Sequence, residues 1–422
     1  MVLFALFMFV FPLIGLEMAV LYGMSAGINK PCVPPRKWAL LFAWVFGVFG
    51  YSMIPIGETD ITRYYEMVDE FGSESIRRIV TYGIEGLFTR DFLFYFTNRS
   101  GNHHILPFTV GFITYAIVFY VLFDMTARSP RRFTRGEIFM LGLTAAGVLS
   151  AYSVIGNIRC VSAYVLISFA VYRDMVQKKR DIWNIALYLI PIGLHVSAVA
   201  VLGLRFACFI TKYTGKLVLC LTFLLPSLIR IAYRYAGLLG KSSIAVIIQR
   251  GISKAYYYLN WNEGGWADEV ANSLSNKVVR IYGTFFLCMI LLMILLSCKY
   301  SRGKGKTDKG VLNRPMVNYL FLTAACALGC LSIKTGVFWR LEAIVVLFSP
   351  VILIPLFEER SPLIHLLMKL LFASVCLILL VNTVWLFRNM DVGKTVVHYA
   401  SASGIKIVCE ICRGFMGMKW KP

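Results

Sequence analysis

Long apolar blocks alternate with short polar ones along almost the whole chain. Runs such as Ile281 to Cys298 and Ile105 to Phe123 are nearly free of charge. A bilayer core of roughly 30 Å takes about 20 helical residues, so runs of this length read as membrane spans. They are too long for core strands and too uniformly apolar for the one-sided helices of a soluble domain. The pattern predicts about twelve spans, near 2–22, 38–56, 105–123, 138–155, 158–172, 182–197, 198–211, 217–234, 281–298, 316–333, 341–357 and 363–387. The stretch 182–211 reads either as one long helix or as two short ones. The first run, Val2 to Tyr22, has neither a basic flank nor a clear cleavage site, so it reads as a span. The fold class is all-α: a polytopic integral membrane protein with a single membrane domain over 1–422.

The polar blocks set the orientation. Four carry clustered cations: 25–37 (Lys30, Arg36, Lys37), 124–137 (Arg128, Arg131, Arg132, Arg135), 173–181 (Arg173, Lys178, Lys179, Arg180) and 299–314 (Lys299, Arg302, Lys304, Lys306, Lys309, Arg314). Basic loops stay on the cytoplasmic side, and one threading of the chain puts all four there with both termini outside. Two longer segments then face outward, 57–104 and 235–280. The second is rich in aromatic residues, with Tyr256, Tyr257, Tyr258, Trp261 and Trp266. Long loops in a compact helical bundle are usually functional, whereas the inner loops look like plain topogenic charge. No internal repeat is visible, which weakens a transporter built from inverted halves.

Composition agrees with this picture and narrows it. The chain is 58% hydrophobic and 15% charged, against about a quarter charged in soluble domains. A net charge of +21 would suggest nucleic acid in a soluble protein, but here the cations sit in short loops suited to anionic headgroups. Cysteines such as Cys326 and Cys330 lie inside apolar runs and act as small hydrophobes. Cys409 and Cys412 have no Cys or His partners at zinc spacing. The chain has no phosphate-binding GxxxxGK[ST] loop, no Asp-x-Asp pair in an inner loop, no HExxH and no GxSxG, so ATP hydrolysis, zinc proteolysis and serine hydrolysis lose support.

Four places combine charge with unusual position. After the second span, Asp60, Arg63 and Tyr64 share one face if the segment is helical. Carboxylate, guanidinium and phenol together suit a hydroxyl-rich, anionic substrate; an ordinary interfacial helix is the alternative. Arg159 follows Asn157, a plausible cap, in the first turn of a helix running inward, where a cation opposes the helix dipole unless an anion is bound. Snorkelling to lipid phosphate would also place it there. Arg340, preceded by Lys334, repeats that geometry, with Glu342 as a possible internal partner. His195 lies in an apolar stretch about 20 Å from the inner end at 1.5 Å per residue. An ionisable side chain at that depth is a functional candidate, and a neutral histidine bonded to a neighbouring helix is the alternative. Glu17 reads as packing, and His103 and His104 as interfacial.

Taken in order, these elements resemble a known family. Asp60-Ile61-Thr62-Arg63-Tyr64-Tyr65 is similar to the Asp-x-x-Arg-Tyr-Tyr element of the EpsG-like branch of Wzy polysaccharide polymerases. Asn157-Ile158-Arg159, the Lys178-Lys179 loop and Leu194-His195-Val196-Ser197 resemble that family's Arg, basic loop and His-x-Ser order, and Trp339-Arg340-Leu341 resembles its late arginine. Glu58-Thr59 departs from the more acidic run expected before Asp60, and the basic tail after Met390 has no counterpart. The resemblance implies a GT-C-type membrane glycosyltransferase fold in the bacterial inner membrane. The enzyme would join oligosaccharide repeats carried on polyprenyl diphosphate into a surface polysaccharide such as O-antigen or capsule, on the outer face. Donor and acceptor would both be such lipid-linked repeats, the bilayer a further partner, and a chain-length regulator an additional one that the resemblance admits. No nucleic acid, metal or other cofactor is expected. His195 or Asp60 would be the catalytic base; Arg159 and Arg340 would hold the diphosphate, with Arg63, Tyr64 and Lys334 also binding substrate. A lipid-linked-oligosaccharide flippase or transporter, and a membrane acyltransferase acting on glycans, are the alternatives.

Overall fold

The computed structural model describes residues 35–57, 59–71, 79, 87–129, 133–149, 151–211, 227–240, 242–260, 274–303, 314–330, 337–356 and 361–417. The expected span 2–22, Glu58, Trp261, Trp266, Lys334, most of the basic loop 299–314 and parts of 25–37, 124–137 and 217–234 lie outside them. Among the described residues the protein is all-helical, and the single β-bridge joins Pro55 to Met390. The helices are α1 (Pro35–Ser52), α2 (Asp60–Glu70), α3 (Phe88–Ser100), α4 (Ile105–Arg128), α5 (Arg135–Val148), α6 (Ala151–Gly156), α7 (Ile158–Met175), α8 (Ile182–Leu194) and α9 (Ala198–Thr211). They continue as α10 (Ser243–Asn260), α11 (Leu274–Gly303), α12 (Arg314–Gly329), α13 (Val337–Leu356), α14 (Pro362–Asn389), α15 (Val392–Ser401) and α16 (Gly404–Gly417).

Two of these, α4 and α14, are long and apolar enough to cross a membrane by length and composition; shorter apolar helices include α8, most of α9 and the stretches 280–296 and 315–329. Along α14, Leu363, Leu366, Leu370, Leu377, Leu380 and Val384 are all exposed. A leucine-rich stripe of that length is costly against water and natural against lipid. The stretch 182–211 resolves into two short helices, which part at His195-Val196-Ser197.

The chain divides into two compact units. The first holds residues 1–166, 193–195 and 382–422. Its centre is the pairing of α1 with α4, whose backbones come close because glycines face the partner. A Cβ at Gly50 would meet the Pro107 carbonyl oxygen at 2.5 Å, and one at Gly111 the Phe46 oxygen at 3.1 Å. Small residues at such crossings let membrane helices gain dispersion energy that the apolar effect cannot supply in lipid. Aromatic rings fill the flanks, with Phe46 stacked on Tyr115 at 3.8 Å. The chain leaving α1 is pinned by the C-terminal segment: Ile56 N–H donates to Asn389 O at 3.0 Å, Asp391 N–H to Ile54 O at 2.9 Å, and Ile54 N–H to Thr395 Oγ1 at 3.1 Å.

The second unit holds residues 167–192 and 196–381. Helices α11, α12 and α13 pack together, and Phe348 sits between the Tyr172 and Tyr319 rings. The loop 173–181 belongs here and is more than topogenic charge. Arg173 grips Asp181 through two hydrogen bonds of 2.8 and 2.9 Å, and its Nε donates to Asn184 at 3.2 Å. Asp174 accepts from Arg180 at 2.7 Å and from the buried Arg205 at 2.5 Å. Two of the loop's four cations are therefore engaged in ion pairs, while Lys178 and Lys179 remain exposed.

Candidate functional site

The segment from Ile54 to Glu70 is built to present one helix at a fixed angle. Gly57 takes a φ of 69°, the left-handed region that glycine enters without penalty, and turns the chain away from α1. Thr59 then caps α2 reciprocally with Thr62: each threonine's hydroxyl accepts from the other's backbone N–H, at 3.4 and 2.9 Å. Asp60 in the first turn complements the positive end of the helix dipole. Ile61, Tyr64 and Val68 form the buried stripe, and Ile61 packs with Met53, Ile155 and Met390.

Arg159 reaches this helix from α7. Asn157 interrupts the chain between α6 and α7, and its carbonyl accepts the first helical bond from Val161 N–H at 3.0 Å. It thus occupies the expected cap position and places Arg159 in the first turn. The Arg159 Nε donates to the Tyr64 hydroxyl in a long 3.4 Å hydrogen bond, and the guanidinium carbon lies 5.2 Å from the Tyr64 ring centroid. That is cation–π range. Arg63 and Asp60 form an ion pair on the exposed side of α2. Asp60, Arg63, Tyr64 and Arg159 therefore form one constellation within the first unit, assembled from two elements 95 residues apart at the Tyr64–Arg159 bond.

Its electrostatics follow from burial. Desolvation holds the Tyr64 phenol above its usual range, although the adjacent Arg159 guanidinium pulls the other way. The phenol stays protonated near neutrality. Its oxygen accepts from Arg159, so its O–H is left to donate. Tyr65, the second tyrosine of the element, is pushed up by burial and packs against His103 and His104 at 5.3 and 5.9 Å between ring centroids.

The other candidates lie on other elements. His195 lies in the non-helical break after α8 and belongs to the first unit. The break is held close to α3, for a Cβ on Gly193 would strike Thr89 Oγ1 at 2.5 Å. Arg340 sits partly exposed in the first turn of α13, in the second unit. Two residues on, Glu342 is buried against Gly283, and its Oε1 has no hydrogen-bond partner among the described residues. Lys334 lies outside those residues. Among the described residues no group of three or more His, Cys, Asp or Glu is arranged to hold a metal.

Sequence reasoning missed a second polar cluster in the first unit. Tyr51 Oη and Asn102 Nδ2 both donate to Glu410 Oε2 at 3.0 Å, and the His104 and His398 rings meet at 5.3 Å. Nothing in local spacing joins residues separated by 359 positions.

Neither a curated protein nor a solved structure matches the chain. A family does: EpsG, over residues 37–401, a stretch that begins in α1, contains the whole Asp60–Arg159 constellation, His195 and Arg340, and ends with α15. The match covers most of the chain and agrees with the resemblance carried by its motifs, and the chain belongs to the EpsG family.

Proposed function

We propose that the protein is a polysaccharide polymerase that joins lipid-linked oligosaccharide repeats, and that the Arg159–Tyr64 constellation binds the anionic part of a substrate. Family membership supports the polymerase role. The observation that carries the site is the meeting of two motifs distant in sequence, through the Arg159–Tyr64 contact, on a helix capped at its start. In this reading the chain crosses the bacterial inner membrane about twelve times, has a GT-C-type arrangement, and handles polyprenyl-diphosphate-linked repeats on the outer face.

The reaction is a glycosyl transfer. An acceptor hydroxyl attacks the anomeric carbon of the donor, the anomeric C–O bond to the diphosphate breaks, and the hydroxyl proton passes to a base. The leaving polyprenyl diphosphate carries away the bonding electron pair. Arg159 compensates that charge, most strongly as it develops. The Tyr64 hydroxyl, accepting from Arg159, is free to donate to a phosphate or sugar oxygen. Asp60 orients Arg63, which leaves His195 the better candidate for the base. Donor and acceptor each carry a diphosphate, so Arg340 and Lys334 are proposed as substrate-binding cations in their own right. The guanidinium groups supply the charge that other transferases take from a metal, and the proposed mechanism uses none.

His195→Ala should abolish polymer at normal protein level, so that cells accumulate single repeats. Unchanged chain length and abundance would remove His195 from the site.

A further inference from the structure

The family match ends at residue 401, yet the chain goes on into another ordered helix, α16. One face of α16 is consumed by the first unit. Gly404, Ile407, Glu410 and Gly414 are buried, Glu410 is held by Tyr51 and Asn102, and a Cβ on Gly414 would meet Phe96 at 2.8 Å. Glu410 is the only acid of the helix, and it points inward.

The outward face is ordered differently. At about 100° per residue, Phe415, Val408, Cys412, Ile405, Met416 and Cys409 follow one another around an arc of roughly 120°. All six are exposed, with Ile405 at 56%, Phe415 at 60% and Met416 at 76%. Next on the wheel come Arg413 and Lys406, seven residues apart and both exposed. A continuous apolar arc bordered on one side by a cationic ridge, with no acid among them, is the pattern of a helix lying in a bilayer interface: apolar side chains enter the acyl region while Lys and Arg meet phosphates. Helix α15 repeats the composition, exposing Val396, Val397 and Lys394.

We propose that the outward face of α16 is a membrane-interface anchor whose occupant is the surface of an anionic phospholipid bilayer. This rests on the reading of the chain as a membrane protein. Because α16 packs on α3 through Phe96 and Phe415, with ring centroids 4.8 Å apart, the anchor also braces the helix that supports Tyr64 through Phe94.

The test uses the full chain in nanodiscs and a charged, membrane-impermeant maleimide, with modification of each cysteine followed by mass spectrometry. In discs containing phosphatidylglycerol, Cys409 and Cys412 should react at least tenfold more slowly than a cysteine introduced at the exposed Lys179. The triple variant Ile405→Glu, Val408→Glu, Met416→Glu leaves the inward face and the Phe96–Phe415 contact intact and should restore fast modification. Discs of phosphatidylcholine alone should give weaker protection. Modification of Cys409 and Cys412 as fast as at the Lys179→Cys site would show a face open to water and overturn the proposal. Protection in native membranes that vanishes in discs would assign the face to another protein, and protection that grows with copies per disc would assign it to a second copy. Equal protection without anionic lipid would overturn the anionic preference. None of these readouts depends on polymerase activity, so they fail or succeed separately from the proposed function.

Discussion

At the scale of single residues, Arg159 and Tyr64 carry the proposal, and their chemistry separates them. Lysine keeps the charge of Arg159 but lacks the planar fork that binds a diphosphate at two points and lies over a ring. Arg159→Lys should therefore lose about 2–4 kcal/mol of transition-state stabilisation, or roughly 30- to 1000-fold in rate. Tyr64→Phe keeps the ring under the guanidinium and removes the hydroxyl, and should cost roughly tenfold. Tyr64→Leu removes both and should approach the Arg159→Lys loss. Polymerisation by the purified variants, normalised to folded protein, checks the order. His104 offers a test of a different kind. Burial, with His398 beside it, pushes its pKa down from 6.5 to about 4. Between those values the unfolded chain binds a proton that the folded one refuses, so stability is complete above about pH 6.5 and falls as pH drops toward 4. His104→Phe should flatten that part of the curve in thermal melts of the purified protein. An unchanged slope would assign the acid sensitivity to other groups.

Elements show which features local sequence can reveal. Apolar run length located α1, α4, α9, α13 and α14 to within a few residues, because a long apolar run can pair its own backbone N–H and C=O groups by forming a helix. It placed α8 as well, while leaving open whether 182–211 breaks. Helices α2, α3, α15 and α16 lack that signal, since each is short and half polar, and their stability comes from one face packed on the first unit. The Thr59–Thr62 box has a local spacing, one threonine before Asp60 and one two residues after it, that the sequence reading passed over, whereas the Tyr64–Arg159 contact has no local signal, since it depends on how α2 and α7 meet. Arg205 was hidden for the same reason: it stands in the apolar run 198–211, and its partner Asp174 lies in a loop that reads as simple charge. Arg205→Met leaves Asp174 paired only with the exposed Arg180. The single change should destabilise the protein by about 1.5–3 kcal/mol, whereas Arg205→Met with Asp174→Leu should recover part of it. Melting temperatures of the single and double variants decide the matter; equal loss in both would show that the pair contributes through packing alone.

For the whole molecule, the charge pattern and the family speak together. Reporter fusions after Arg132, Lys179 and Lys306 should read cytoplasmic, and fusions near Gly72 and Gly264 external, since clustered cations resist translocation. An external signal at Lys306 would reverse the second half of that map. The family match adds the polymerase role that no single motif here establishes, because three- to six-residue motifs on apolar helices recur by chance. The central claim is best tested by reconstituting the purified full chain with polyprenyl-diphosphate-linked repeat units and resolving the products on a gel. The account predicts a ladder of repeat multiples, one polyprenyl diphosphate released per new bond, and loss of most of the ladder in Arg159→Lys. Repeats that stay single, or a ladder of wild-type intensity from Arg159→Lys, would contradict it.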